Sequence, residues 1–230
     1  MVQRSLPEQR DVRVPLSRNR KAIVSLMTAS AAIPQFGIDA EADLTELMAL
    51  RDDGADFSVG DAVLRASALC LRAHPELNAS FDAETVVRHA NVNLGLGIIG
   101  PEGLMVVVIR DADRLSITEI ATERRRLISA AERGELRGDE VLGATFVISN
   151  LGPAGVVRFQ ALLVPPAAAI LAVGKVQDRV RLTNTGIDGF SALTVCLTCD
   201  HRVVDGFEAA LFLETFTTVL GQPARLLAGN

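Results

Sequence analysis

Hydrophobic positions recur along the chain with two different periods, and the places where the period changes mark out the elements. After Pro15, SRNRKAIVSLMTASAAI carries Ile23, Val24, Leu26, Met27 and Ile33 behind a basic start, which predicts an amphipathic helix capped by Ser17. QFGIDAEADL after Pro34 predicts a strand, followed by a helix over residues 43–51 in which Leu44, Leu47, Met48 and Leu50 keep helical spacing. VGDAVLRASALCLRAHPEL repeats Val63, Leu64, Ala68, Leu69 and Leu71 at helical intervals and is closed by His74-Pro75. Then the period changes. FDAETVVRHANVNLGLGIIGPEGLMVVVIRDAD has short β-branched runs broken by Gly-Pro-Glu-Gly, the pattern of hairpin strands. Within it, NLGLG lacks the lysine and the helix of a phosphate loop and is read as strand. Helical spacing with charges outward returns over residues 117–133. GATFVISNLG predicts a strand and a turn, and AAAILAVGKVQDRVRLTNTGIDGFSALTVCLTCD two or three more strands. FEAALFLETFTTVL predicts a closing helix with Leu211, Phe212, Phe216 and Leu220 as its apolar face. Residues 1–11 are mostly polar and aperiodic, as expected of a flexible arm or linker remnant. No linker-like shift interrupts the rest of the chain, so residues 12–230 are expected to form one α/β (mixed α+β) domain.

Composition narrows the function. A chain of 230 residues, 49% of them hydrophobic, buries a core without metal or disulfide staples. Its net charge of -5 offers no basic footprint for a phosphate backbone, so nucleic acid is excluded as a partner. Trp and Tyr are absent, which removes aromatic cages and base-stacking platforms from the candidate chemistry. Three cysteines and no apolar signal segment in MVQRSLPEQRDVR point to a reducing compartment, a bacterial cytoplasm or an organelle matrix. The longest apolar runs, such as ALLVPPAAAILAVG, are too short and too interrupted by proline to span a bilayer.

The chemistry concentrates in CLTCDHRVVDGFE, which holds two cysteines, a histidine and three carboxylates. Strand geometry speaks against a zinc site and weakens a dithiol one, in favour of small buried side chains for both cysteines. If TVCLTCD is a strand, Cys196 and Cys199 stand an odd number of residues apart and point to opposite faces. His201 falls at a strand-to-loop junction, where side chains are delivered to clefts. Asp205 precedes a helix and has a plain alternative role as its N-cap.

Read together, these residues carry a resemblance. DHRVVDG resembles the signature of the acyltransferase (E2) components of the 2-oxo acid dehydrogenase complexes. VPLSRNRKAIVSLMTAS resembles the opening of that family's catalytic domain. EADLTEL, NAS, GPEGLMVVVIRDAD, ATFVISNLGPAGVVRF and PPAAAILAVG resemble its later landmarks, in the family's order. The resemblance implies a chloramphenicol acetyltransferase-like domain, with a mixed central sheet flanked by helices. It implies acyl transfer between the thiols of dihydrolipoamide and coenzyme A, with His201 as general base, Ser149 as hydrogen-bond donor to the oxyanion and Asp205 orienting the histidine, through an arginine such as Arg18 or Arg20. Phe159 and Leu171 fall where the family contacts coenzyme A or the lipoyl arm, with a core position the equal alternative for each, and Ser17, Arg18 and Arg20 are candidates to meet the nucleotide's phosphates.

The family's active sites lie between neighbouring subunits of a trimer, and larger members build cubes or dodecahedra from trimers through C-terminal apolar residues. PARLLAGN keeps Leu226 and Leu227 but ends in Gly-Asn, which leaves trimer or shell open. The lipoyl group would come from a separate domain or chain, and the E1 and E3 dehydrogenase components would be indirect partners. Two departures stand out: no proline within residues 105–110, and Val164 where the family has asparagine. No lipoyl or partner-holding domain precedes residue 12, so an excised core or a free-standing relative is expected. A non-catalytic assembly scaffold, or acylation of a small amine or alcohol, are the alternative functions.

Overall fold

The computed structural model describes residues 11–227 apart from 102 and 185, so the arm expected over residues 1–11 falls, but for Asp11, outside the described residues. Along the chain come α1 (Arg18–Ala31), β1 (Gln35–Asp43), α2 (Thr45–Asp52), α3 (Val59–Ala73), β2 (Ala79–Asp82), β3 (Thr85–Arg88), β4 (Leu94–Gly100) and β5 (Gly103–Ile109). They are followed by α4 (Ile117–Arg133), β6 (Phe146–Asn150), β7 (Ala169–Thr183), β8 (Gly186–Asp200), α5 (Gly206–Gly221) and α6 (Pro223–Leu227). Six strands form one mixed sheet in the order β1-β8-β7-β6-β4-β5, and β2 and β3 form a separate hairpin. β6 is parallel to both its neighbours, and the other pairs are antiparallel.

Period-2 alternation decides what each sheet face covers. Leu94 and Leu96 of β4, Leu171 and Val173 of β7, and Leu193, Val195, Leu197 and Cys199 of β8 turn to one face, where they meet α3, α4 and α5 in a single core. The opposite face carries a smaller cluster, Val147 and Ile170 beneath Leu163 and Ala167. The last two belong to residues 151–168, which run back across the sheet as a strap between β6 and β7. Helix starts follow their caps: Ser58 with Asp61 opens α3 and Ser116 with Glu119 opens α4, each pair bonding reciprocally. Gly134 ends α4 in the left-handed region, at φ 70°. Asp61 also reaches across to Arg124 of α4 at 2.6 Å. Burial alone would push its carboxyl up, but bonds from Arg124 and Ser58 outweigh that and hold it below the ordinary carboxylate range.

One expectation needs correction. The closing helix buries Phe212, Phe216 and Leu220, whereas Leu211 is 38% exposed, because the buried stripe runs through Ala209, Leu213 and Val219 instead. A short α6 follows it and places Leu226 in the core, leaving Leu227 half exposed. α1 forms with Ser17 capping as expected; Ile23, Leu26 and Met27 on its apolar stripe are half-buried, Val24 is exposed and Ser30 is fully buried.

Candidate active site

Position 201 follows the last residue of β8, in a turn held from several sides. The His201 N–H donates to Pro34 O at 2.8 Å, which ties the turn to the start of β1. Its ring lies 4.7 Å, centroid to centroid, from Phe36, and its Nδ1 lies 3.7 Å from the Asp205 carboxylate. That separation is beyond a hydrogen bond but fixes which ring nitrogen faces the carboxylate, and Nε2 is left facing outward. Asp205 is the N-cap residue of α5, and its own N–H donates to Glu208 at 2.8 Å. The backbone N–H groups of Val203 and Val204 both donate to Asp200 O at 3.0 Å and close the turn. About half of the His201 side chain remains accessible.

Ser149 sits in β6 next to Ala172 of β7, whose partner on β8 is Cys196. Its side chain alternates with Ile148 and therefore turns to the strap face. The neighbouring position on β4, one step past the last paired residue, is Gly97, and a Cβ built there meets nothing closer than Ile148 O at 3.7 Å, so the approach from that side is open. The strap is anchored across the sheet by Arg158, paired with Asp39 on β1, and by Leu163 N–H, donating to Gln35 Oε1 at 3.1 Å. Gln160 packs directly over Gly37, where a Cβ would sit 2.4 Å from its amide nitrogen. Phe159, between Arg158 and Gln160 on the strap, is half-buried.

Ser149 and His201 do not meet. Two strand spacings across the sheet and five residues along β8 put them roughly 20 Å apart. They also lie on different faces: Ser149 under the strap, His201 against Phe36, whose side packs on the main core. A cavity of about 490 Å³ opens where β4 and β6 splay, floored by Val63, Leu96 and Ile148 and rimmed by Arg51, Arg124 and Lys175, and neither Ser149 nor His201 lines it.

Of the other candidates, Leu171 is fully buried in the core and offers no surface to a ligand, because the parity of β7 turns it toward the helices. Ser17 caps α1 by accepting from Arg20 N–H at 3.2 Å. Arg18 and Arg20 form no ion pair with Asp205: α1 begins at the far edge of the sheet, where Asn19 donates to Leu104 O at 3.3 Å. Val164 packs on the small cluster of the strap face. Cys196 and Cys199 lie on opposite faces of β8, as their spacing requires, and burial pushes each thiol up to about 12. Sequence reasoning did not single out Asp200, Arg202, Phe36 or Phe81. The only signal for the first two was an acidic and a basic residue flanking His201.

The acyltransferase (catalytic domain) family of the 2-oxoacid dehydrogenases matches residues 8–228. A dihydrolipoyllysine-residue acetyltransferase component of the pyruvate dehydrogenase complex from Arabidopsis thaliana is 37% identical over 230 residues, covering 94% of this chain and 42% of that protein. The chain spans roughly a third to three-fifths of the curated relatives it matches, at 42%, 35% and 58% of three of them. Among solved structures, the dihydrolipoamide acetyltransferase of Azotobacter vinelandii superposes with a TM-score of 0.89 at 28% identity, covering 95% of both chains. That structure addresses the role in catalysis of a serine, a histidine 52 positions later and an asparagine four further on. The cubic core of a pyruvate dehydrogenase multienzyme complex superposes with a TM-score of 0.88 at 28% identity and 95% coverage of both chains. A chloramphenicol acetyltransferase shares the fold, with a TM-score of 0.57 at 17% identity over 81% of this chain and 86% of that one.

Proposed function

The chain belongs to the 2-oxoacid dehydrogenase acyltransferase family, and from that premise we propose that it moves an acetyl group between the thiols of dihydrolipoamide and coenzyme A in a site shared by two copies of itself. The observation that carries this is a spacing combined with a separation. Ser149, His201 and Asp205 stand 52 and then 4 positions apart, the intervals of the serine, histidine and asparagine of the Azotobacter protein. Yet within one chain Ser149 and His201 are roughly 20 Å apart on different sheet faces, too far to serve one substrate.

A thiol with an ordinary pKa above neutrality needs a base before it attacks. His201 Nε2, the nitrogen turned away from Asp205, takes the proton as sulfur bonds to the thioester carbonyl carbon. The carbonyl oxygen becomes an oxyanion, and the Ser149 hydroxyl of the neighbouring copy donates to it. Collapse re-forms the carbonyl, breaks the bond to the second sulfur, and the departing thiolate takes the proton back from the imidazolium. Asp205 faces Nδ1, favours the tautomer that leaves Nε2 free to accept, and steadies the charged ring in between. Phe159, half-buried on the strap, is the candidate to meet a pantetheine or lipoyl arm.

Assembly into a homotrimer is supported by the outer part of the β7–β8 hairpin. Val180 and Leu182 share a face with Ile187 and are 75%, 86% and 75% exposed, while the alternate residues Arg179 and Arg181 turn to Glu41 and Asp43 of the same chain. An aliphatic face this bare, on strands whose other side is already satisfied, suits a second copy. Free dihydrolipoamide offered with acetyl, succinyl and branched-chain acyl coenzyme A tests the reading. Thiol acylation fastest from the acetyl donor is expected, and no transfer from any of the three would overturn it.

A further inference from the structure

The separate β2–β3 hairpin takes no part in the six-stranded sheet and holds no residue of the proposed chemistry, yet it is bonded to the turn that carries His201 by two independent routes. One is backbone: Ala168 N–H donates to Ala79 O at 2.9 Å, and Asp200 N–H donates to Ala168 O at 2.8 Å, so β2, the end of the strap and the last residue of β8 lie in one hydrogen-bonded row. The other is side chain. The Arg202 guanidinium lies 4.2 Å from the ring centroid of Phe81 on β2 and grips the Asp200 carboxylate from the far side, with Nη2 to Oδ2 at 2.6 Å and Nε to Oδ1 at 2.9 Å. The Arg202 N–H adds a third donor to Oδ1 at 3.0 Å. The Asp200 side chain is 4% exposed, so it has no solvent to turn to and its orientation is set by this grip. The hairpin itself is closed at its base by Asn78, whose Nδ2 donates to His89 O and Asn91 O, both at 3.0 Å.

Residues 200 and 202 are therefore locked on either side of His201, whose backbone N–H is held by Pro34 O and whose ring lies between Phe36 and the Asp205 carboxylate. We infer that Arg202 is a positioning residue for His201, and that the β2–β3 hairpin is its mount, with Phe81 as the platform that holds the guanidinium flat against Asp200. This inference rests on His201 being the base. Arginine suits the task because its planar fork meets the carboxylate with two donors while a face stacks on an aromatic ring. A lysine ammonium keeps the charge and loses both geometries. A base displaced by about 1 Å costs on the order of a hundredfold in rate.

The test compares Arg202→Lys, Phe81→Ala, Phe81→Tyr and His201→Ala in the assembled protein, with kcat and KM for coenzyme A and dihydrolipoamide measured separately. Native mass is measured beside them. The expected result is a loss in kcat of about ten- to a hundredfold for Arg202→Lys and Phe81→Ala, with KM within about twofold and native mass unchanged. Phe81→Tyr, which keeps a ring under the guanidinium, recovers most of the rate. If His201→Ala is inactive while Arg202→Lys and Phe81→Ala keep wild-type kcat, the inference is overturned and the base assignment stands. It is overturned equally if kcat falls only in step with loss of assembly, or if Phe81→Tyr is as slow as Phe81→Ala. A fully active His201→Ala would overturn the base assignment itself.

Discussion

β8 divides into two halves with opposite fates. From Ala192 to Asp200 every residue but Thr194 is buried, with Leu193, Val195, Leu197 and Cys199 against the helices and Cys196, Thr198 and Asp200 toward the strap and β2. From Gly186 to Gly189 the same strand is exposed on both faces, and with β7 it stands clear of the main core. The inner half gains its order from this chain alone and delivers His201 at its end. The outer half has an ion-paired face and a bare aliphatic one, so its structure points to a second copy. On the proposed reading, one strand thus places the base and presents the surface through which a neighbour would bring the serine.

Changes in the two halves should fail differently. His201→Ala, at the inner end, is expected to lower kcat by about a thousandfold while the native mass stays that of the wild type. Leu182→Asp, in the outer half, places a charge on the bare face. It is expected to yield a folded monomer that has lost at least about a hundredfold in activity, since each copy then lacks its neighbour's oxyanion donor. Sedimentation and circular dichroism together separate that outcome from unfolding. Leu197→Ala leaves a hole between β8 and the helices and should cost about 3 kcal/mol of stability in denaturant melts. Val180→Ala, at a position 75% exposed, should change monomer stability by less than about 0.5 kcal/mol. Smallest of all should be the response of the thiols. Cys70, Cys196 and Cys199 are buried and pushed up to about 12, so iodoacetamide at neutral pH should leave the native protein unlabelled and label all three after denaturation.

These two halves also show what the sequence could and could not convey. TVCLTCD reads as a strand because β-branched and apolar residues dominate it, and the odd spacing of Cys196 and Cys199 separates them by face before any coordinate is known. α4 was legible over residues 117–133 from its helical spacing, and the structure closes those limits with a Ser116–Glu119 capping box at one end and Gly134 at the other. The hairpin was less legible: RVRLTNTGIDG alternates Arg179 and Arg181 with Val180 and Leu182, which says amphipathic strand but not which face is paired within the chain. Leu211 was misplaced for a related reason. α5 is apolar on more than one side, so spacing alone does not choose the buried stripe. Leu171 was open between a channel contact implied by the resemblance and a core position, and the parity of β7 turns it into the core. The clamp of Asp200, Arg202 and Phe81 depends on residues 121 positions apart and left no periodic trace.

The central claim is that each site is divided between two copies of the chain. His201→Ala and Ser149→Ala chains, each inactive alone, can be co-expressed so that they assemble together, and the acetyl transfer rate of the mixture measured. With sites at the interfaces of a trimer, about three-quarters of randomly assembled trimers are mixed and each rebuilds roughly one of its three sites, so about a quarter of the wild-type rate should return. A mixture no more active than its two separate components would contradict the claim.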